Sequence, residues 1–526
     1  MNGAYDAVVI GSGFGGAIVA ARLAEAGRRV CLLERGRRWE AGEFPRTWSG
    51  AEAAVWDEKR RYGFLDYRTF RRMDVIQGSG VGGGSLHYFN VQLRAPDAVF
   101  ERREWPEPLA RTRLAPYYDR VAEMIEARPL VPPAGYDLPA RTTAFLDAAR
   151  RAGYDPGLVP IAVHTGPSRT HPVSGVAQEP CDYTANCLLG CRPRAKNSLD
   201  VTYVPLGERH GLEVRPLHVA DRLEALGAGG YAVTGRRLDP DRPGTSEPFR
   251  VEGGTVVVSA GSLGSTELLL RARDLHRTLP SLPAMVGHRF SPNGDMLFAG
   301  TLGTDDVVEP SDGPSITAGA LVPGRKTGKL VNVQDLGYPP SFTAFVDGAV
   351  PNRRRLLGMA RAAVSYLRAS GGGPPFRSAL LFAGSPVPNL LTYLGMGLDA
   401  GDGVLRLDRR RRLQLDWDPS ASKPVFDDIE RVMKDLSHAL GGSFMRSPPW
   451  RPPFRRLLTA HPLGGAVMSD SPETGVVDHR GQVWGHPGLY VACSSVIPGP
   501  LAVNPSLTIG AVAERTAQWM IAGADL

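Results

Sequence analysis

Six residues near the start of the chain, Gly11-Ser12-Gly13-Phe14-Gly15-Gly16, constrain the fold more than any other stretch. The run Ala4 to Ile10 leads into them as a strand, Ala17 to Ala26 leaves them as a helix, and Arg29 to Leu33 forms a second strand ending at Glu34. That order is a βαβ unit, whose strands must lie parallel. Gly11 permits the tight turn, Gly13 lets a pyrophosphate reach bare backbone, and Gly16 lets the helix pack closely on the strand, with Phe14 and Gly15 completing the turn. Glu34 falls eighteen residues past Gly16, beside Arg35. A carboxylate there accepts hydrogen bonds from an adenosine ribose and repels a 2′-phosphate, so the pattern is a dinucleotide site that disfavours NADP.

A chain of 526 residues exceeds one compact core, and two domains sharing an interface are expected. The net charge of +7 comes from scattered arginines with local runs at Arg353-Arg354-Arg355 and Arg409 to Arg412. No aromatic-interleaved basic motif accompanies them, which argues for solvated surface and against nucleic-acid binding. The first strand begins so soon after Met1 that no basic and apolar leader fits before it, and no apolar stretch reaches transmembrane length. A soluble, cytoplasmic protein is the expectation. Of five cysteines, Cys181, Cys187 and Cys191 cluster without paired CxxC spacing, which reads as structural thiols near a turn and not as a metal site.

The second strong signal follows the strand Val75 to Gln77. Gly78-Ser79-Gly80-Val81-Gly82-Gly83-Gly84-Ser85 holds five glycines between apolar segments. So little side chain suits backbone lying against a flat or phosphate-bearing ligand, and Gly78, Gly80, Gly83, Gly84 and Ser85 are the candidates. Leu212 to Leu226 alternates as one strand, and Thr255 to Ser259 reads as a buried strand entering Ala260-Gly261-Ser262, again small residues suited to close approach. A helix is expected to start near Ser265. Asn332 to Gly337 reads as a strand turning at Gly337, Arg354 to Arg368 has helical spacing, and Leu380 to Leu398, broken by Gly384, Pro386 and Pro388, suggests a mobile cover over a pocket.

Together with Ala195-Lys196-Asn197-Ser198 and the carboxyl-terminal motifs Thr459-Ala460-His461-Pro462-Leu463-Gly464-Gly465 and Asn504-Pro505-Ser506, these stretches resemble the glucose-methanol-choline (GMC) flavoprotein oxidoreductases over most of the chain, in the branch of flavin-noncovalent bacterial cholesterol oxidases. The resemblance implies an α/β fold, with a Rossmann-type FAD-binding domain and an α+β substrate domain on a mostly antiparallel sheet. It divides the chain into 1–100, 181–289 and 456–526 for FAD, 101–180 as a flavin-covering connector, and 290–455 for substrate. It places Val219 at the adenine and His461 and Asn504 at the reactive edge of the flavin.

Oxidising an alcohol removes the hydroxyl proton while hydride moves to flavin N5; a near-neutral histidine can take that proton and an amide can hold the oxygen. His461 is thus the candidate base and Asn504 the positioning group. Pro505 reads as the first residue of a helix whose positive end lies beside Asn504 and Ser506. The implied reaction is oxidation of a hydrophobic alcohol, a sterol for example, with oxygen or another acceptor. The alternative on this scaffold is a lyase, of the hydroxynitrile-lyase or fatty-acid-decarboxylase kind. The resemblance also implies a substrate-domain glutamate, for which Asp335 is the nearest candidate by pattern. His87 lies two residues past Ser85, where some members attach FAD covalently; the branch resembled here binds it without a bond.

Overall fold

The computed structural model describes residues 5–109, 111–227, 229–304, 307–343, 389–447, 450 and 456–523. The arginine run at 353–355, the helix expected over 354–368 and the first part of the stretch 380–398 lie outside them.

A continuous buried apolar run, Ala7 to Ile10, builds most of β1 (Tyr5–Ile10), which enters α1 (Phe14–Glu25) and then β2 (Val30–Leu33). The helix starts inside the glycine turn, earlier than the sequence suggests, because Gly13 is extended and Gly15 and Gly16 already take helical geometry. A Cβ on Gly15 would overlap the Ala492 carbonyl, and one on Gly16 the Gly11 carbonyl, so only glycines let the helix begin there. Further on, β3 (Leu65–Thr69) and β4 (Met73–Gly78) form an antiparallel pair.

The expected strand over Leu212 to Leu226 is two, β5 (Glu213–Arg215) and β6 (His218–Ala225). Pro216 and Leu217, whose φ is 59°, break it. β7 (Tyr231–Leu238) and the long β8 (Ser246–Val258) follow. Next comes α2 (Gly261–Leu270), which begins at the small-residue turn and not near Ser265; the Ser265 hydroxyl instead accepts from the Ala260 N–H at 2.9 Å. A π turn over Arg271–Leu275 prolongs it.

The strands that follow are β9 (Met296–Leu302), β10 (Ala318–Pro323), β11 (Leu330–Leu336) and β12 (Leu390–Gly397). After them come α3 (Lys423–Ala439), β13 (Ser443–Met445), β14 (Leu457–Thr459), β15 (Leu489–Val491) and α4 (Ser506–Ala522).

One sheet has the order β5-β2-β1-β8-β7-β6, with β15 added alongside β8. β5, β2, β1, β8 and β15 run parallel, while β7 and β6 return antiparallel. The second sheet, β13-β9-β12-β11-β10 with the short strand Gly157–Leu158 at its edge, is antiparallel throughout. The segment Leu390–Gly397 is its buried centre and not a cover: every one of its residues is buried. Helix α3 lies on this sheet through Val425, Phe426, Ile429, Val432, Met433 and Leu436, a 3.6-residue stripe. Gly395 and Gly397 admit it, since Cβ atoms there would run into Ile429 and Val425. A third, small sheet joins β14 in parallel to β4 and β4 to β3.

Among the described residues no helix is long and apolar enough to cross a membrane.

Candidate functional site

A cavity of about 780 Å³ runs between the two large sheets, past both glycine loops, to the carboxyl-terminal motifs. At one end, Gly11 holds φ at +98°, a conformation that would strain any side chain. Gly13 differs: its φ is −72° and a Cβ would meet no protein atom within 4 Å. The space it leaves belongs to the cavity. Gly83 stacks its backbone on Gly13, while Gly84 opens toward the His87 ring, so the two glycine loops form one wall.

Glu34 turns its carboxylate into that wall, accepting from the Ser12 N–H at 3.1 Å, the Ser12 hydroxyl at 2.7 Å and the Gly36 N–H at 2.9 Å. Arg35 donates to Asp66 at 2.6 Å, and Asp66 also accepts from Arg68 at 3.1 Å and Gln77 at 2.7 Å. These cations hold the Asp66 carboxyl well below its ordinary range despite burial. Val219, Ala260 and Gly261 line the same end.

Three of the sequence candidates face elsewhere. Gly16 packs on Gly11, Gly80 lies against Leu86 and Arg37, and the Ser85 hydroxyl donates to the Gly82 carbonyl and accepts from the Leu199 N–H. They shape the loops without lining the cavity. Beneath the second loop, Lys196 is buried and donates to the Leu86 and Cys187 carbonyls at 2.8 and 2.9 Å. Burial pushes its pKa down. Cys187 accepts from the Asn90 amide and Cys191 from the Lys196 N–H; the thiols serve this turn.

At the far end His461 presents its ring to the cavity, with Nδ1 2.8 Å from Asp295 Oδ1. Asp295, fully buried, also accepts from the Thr459 hydroxyl at 2.8 Å and the Ala460 N–H at 3.0 Å. An imidazole that donates from Nδ1 to a carboxylate keeps its lone pair on Nε2 and can accept a proton there. Asn504 lines the cavity too, and its Oδ1 accepts from Gln334 of β11 at 2.8 Å. The turn before β9 touches both motifs: Asn293 donates to the Val503 carbonyl at 2.9 Å and accepts from the Leu501 N–H at 2.8 Å, two residues before Asp295.

Helix α4 begins at Ser506, so Pro505 is its cap and not its first residue. Ser506 donates to the Val91 carbonyl and to Gln92. The start of α4 therefore adjoins Asn504, as expected.

Asp335 lies elsewhere. It is buried away from the cavity, accepting from the Thr317 and Ala318 N–H groups and two threonine hydroxyls beside Arg141. Its neighbour Gln334, on the opposite face of β11, is the substrate-domain side chain that meets Asn504. Sequence reasoning missed Asp295, Gln334 and the burial of Lys196. The signal for Asp295 was an acid following Pro292-Asn293-Gly294 at the mouth of an apolar strand.

The residues fit FAD. The bare glycine wall offers backbone to a pyrophosphate. His87, almost fully buried, aims an unpartnered Nε2 at the cavity, and burial beside Lys196 and His461 drives its pKa down to about 3, so the ring is a neutral polar group awaiting a partner.

Residues 5–273 and 452–513 match the amino- and carboxyl-terminal models of a family described as GMC oxidoreductase. A cholesterol oxidase of Mycobacterium tuberculosis is 30% identical over 98% of this chain and 90% of its own length. A long-chain-alcohol oxidase of Arabidopsis thaliana is 25% identical over 97% of this chain and 66% of its own length. Among solved structures, pyridoxine 4-oxidase from Mesorbium loti superposes with a TM-score of 0.64 at 17% identity, covering 98% of each chain, a likeness of fold. The cavity, its glycine wall and these matches agree: the chain belongs to the GMC oxidoreductases and is an FAD-dependent oxidoreductase acting on CH–OH groups.

Proposed function

We propose that the protein oxidises the CH–OH group of a hydrophobic alcohol, with sterols the first class to test, and that His461 is the base and Asn504 the group that holds the reacting oxygen. The carrying observation is the pair of buried Asp295 and half-buried His461 facing, with Asn504, one cavity whose substrate side is built from Phe298, Leu297, Leu336, Phe342 and Thr392. Bound FAD supplies the hydride acceptor. Asp295 holds His461 in the tautomer whose Nε2 receives the hydroxyl proton, then stabilises the imidazolium that results. Asn504 donates to the oxygen as its negative charge develops, and the start of α4 adds a partial positive charge beside it. The apolar wall keeps water from that proton.

The glycine-wall residues are proposed FAD contacts, and the five-part division of the chain is part of the same proposal, supported by the way the strands separate: β1, β2, β5 to β8 and β15 form one sheet and β9 to β13 the other. The sterol relatives at 30% identity and the long-chain-alcohol relatives at 25% support an apolar substrate. The cytoplasmic placement rests on the sequence, whose five cysteines show no disulfide framework.

The test is anaerobic titration of the yellow protein with cholesterol, long-chain alcohols and short primary alcohols. Bleaching of the flavin by a sterol or long-chain alcohol, with the matching carbonyl recovered, is the expected result. Turnover of a substrate without flavin bleaching would favour a lyase instead.

A further inference from the structure

An asparagine side chain is ambiguous in a way a histidine–aspartate pair is not. Its oxygen and NH₂ group have nearly the same shape, and rotation about the last torsion exchanges a donor for an acceptor at little cost. A group meant to donate to a developing negative charge therefore needs something that forbids the exchange.

At Asn504 that something comes from the other sheet. Gln334 lies 170 residues away in sequence, is fully buried on the antiparallel sheet, and donates from Nε2 to Asn504 Oδ1 at 2.8 Å. Its strand is fixed on both sides, pairing Gln334 with Gly319 of β10 and Leu394 of β12. The backbone approaching Asn504 is fixed independently, because Asn293 clamps Leu501 and Val503. With the main chain held by one amide and the side-chain oxygen taken by another, the Asn504 NH₂ is the part left for the cavity.

We propose that Gln334 is a positioning residue for the reaction, acting through Asn504: it locks the Asn504 amide with its oxygen toward the substrate-domain strand and its NH₂ toward the reacting oxygen. A neutral donor is required at Gln334. An ionised carboxylate in its place accepts only, so it would repel Oδ1 and draw the Asn504 NH₂ to itself, turning the carbonyl oxygen to the substrate. Gln334 Oε1 and Asn332 Nδ2, two residues apart and on the same face of β11, are both buried without partners.

The inference rests on the role proposed for Asn504, and the experiment separates the two. Gln334→Leu, Gln334→Glu, Asn504→Ala and the double variant Gln334→Leu/Asn504→Ala are compared in FAD-loaded enzyme by kcat, KM, melting temperature and flavin midpoint potential. Gln334→Leu is expected to lose about tenfold or more in kcat with KM changed less than about threefold, the pattern of an interaction made in the transition state. Gln334→Glu is expected to be worse than Gln334→Leu at high pH and to recover relative to wild type as pH falls and the acid regains its proton. In the double variant the two losses should not multiply, since both act through one amide.

Should Asn504→Ala leave kcat intact, the catalytic reading of Asn504 is what fails. An impaired Asn504→Ala beside a Gln334→Leu enzyme within about twofold of wild type overturns the positioning role. So do losses that multiply in the double variant, or a Gln334→Glu enzyme whose activity relative to wild type is flat with pH. If Gln334→Leu does not fold, the pH response of Gln334→Glu alone decides.

Discussion

Asp295 and His461 meet across 166 residues of sequence through a 2.8 Å contact between carboxylate oxygen and Nδ1, and this contact sets which nitrogen of the histidine faces the cavity. Asp295 arrives from the turn before the antiparallel sheet and His461 from the loop after β14. Replacing the carboxylate by an amide keeps the shape but removes the charge and admits the other tautomer. Asp295→Asn should lower the rate of anaerobic flavin reduction by about 10²- to 10⁴-fold while FAD stays bound, which stopped-flow absorbance checks.

Gly13 and Gly15 sit two residues apart in one turn but predict opposite defects. Gly13→Ala adds a Cβ that meets no protein atom at an ordinary φ, so the apoprotein should melt within a few degrees of wild type. The same methyl enters the space offered to the pyrophosphate, and FAD affinity should fall by about 100-fold or more, read by fluorescence on reconstitution. Gly15→Ala drives its Cβ into the Ala492 carbonyl and should instead cost about 3 kcal/mol of folding stability. A melting curve without cofactor separates the two.

The Asp66 carboxylate, held by Arg35, Arg68 and Gln77, carries a pH signature. Its folded pKa is depressed, so its stabilisation is present above the ordinary carboxylate range and is lost as pH falls through that range and toward the depressed value. Asp66→Asn should therefore destabilise the protein at pH 7 by about 3 kcal/mol, with the difference shrinking in acid. Urea titrations at neutral and acid pH test this; a gap that stays constant down to the lowest pH at which the protein folds counts against it.

His87, with its pKa pushed down to about 3, should show no imidazole titration between pH 5 and 8 by nitrogen-correlated NMR. Because the charged ring is the disfavoured form in the fold, its neutral state adds stability above the ordinary histidine pKa that is lost as pH falls below it.

Phe298 occupies a bulge of β9 with φ at 63° and stands 43% exposed at the cavity wall. An aromatic residue held in that region costs about 1 kcal/mol or more, a pattern that clusters at ligand sites. Phe298→Gly should relieve the strain, leaving melting temperature level or raised, while shifting preference among sterol and long-chain alcohols by about tenfold in kcat/KM. Unchanged relative kcat/KM across that panel would remove Phe298 from the substrate site.

The parts of this site that could be read in the sequence are those whose chemistry is local. A glycine turn, its flanking strand and helix, and the acid at the next strand end report themselves within forty residues, as Gly11 to Glu34 do. His461 and Asn504 were singled out because each sits in a distinctive motif. Asp295 was not, because an acid in a Pro-Asn-Gly-Asp turn reads as turn chemistry until the fold carries His461 to it. Asp335 stood as the nearest match by local pattern to the substrate-domain acid that the resemblance implies, yet strand alternation sends it to Arg141 and its neighbour Gln334 to Asn504. Leu380 to Leu398 suggested a cover because Gly384, Pro386 and Pro388 interrupt an apolar run, and its end, Leu390–Gly397, has no period to tell a buried central strand from a lid.

The packing of Gly15 against Ala492 also bears on synthesis. The turn that would receive the nucleotide is complete only when a residue from near the end of the chain forms its floor, and β15 must join β8 to hold that residue there. A nascent chain still held at its carboxyl end lacks this floor, however early the first βαβ unit condenses. A chain cut before β15 is therefore expected to lack this floor and to stay colourless when FAD is added, which flavin absorbance after reconstitution checks.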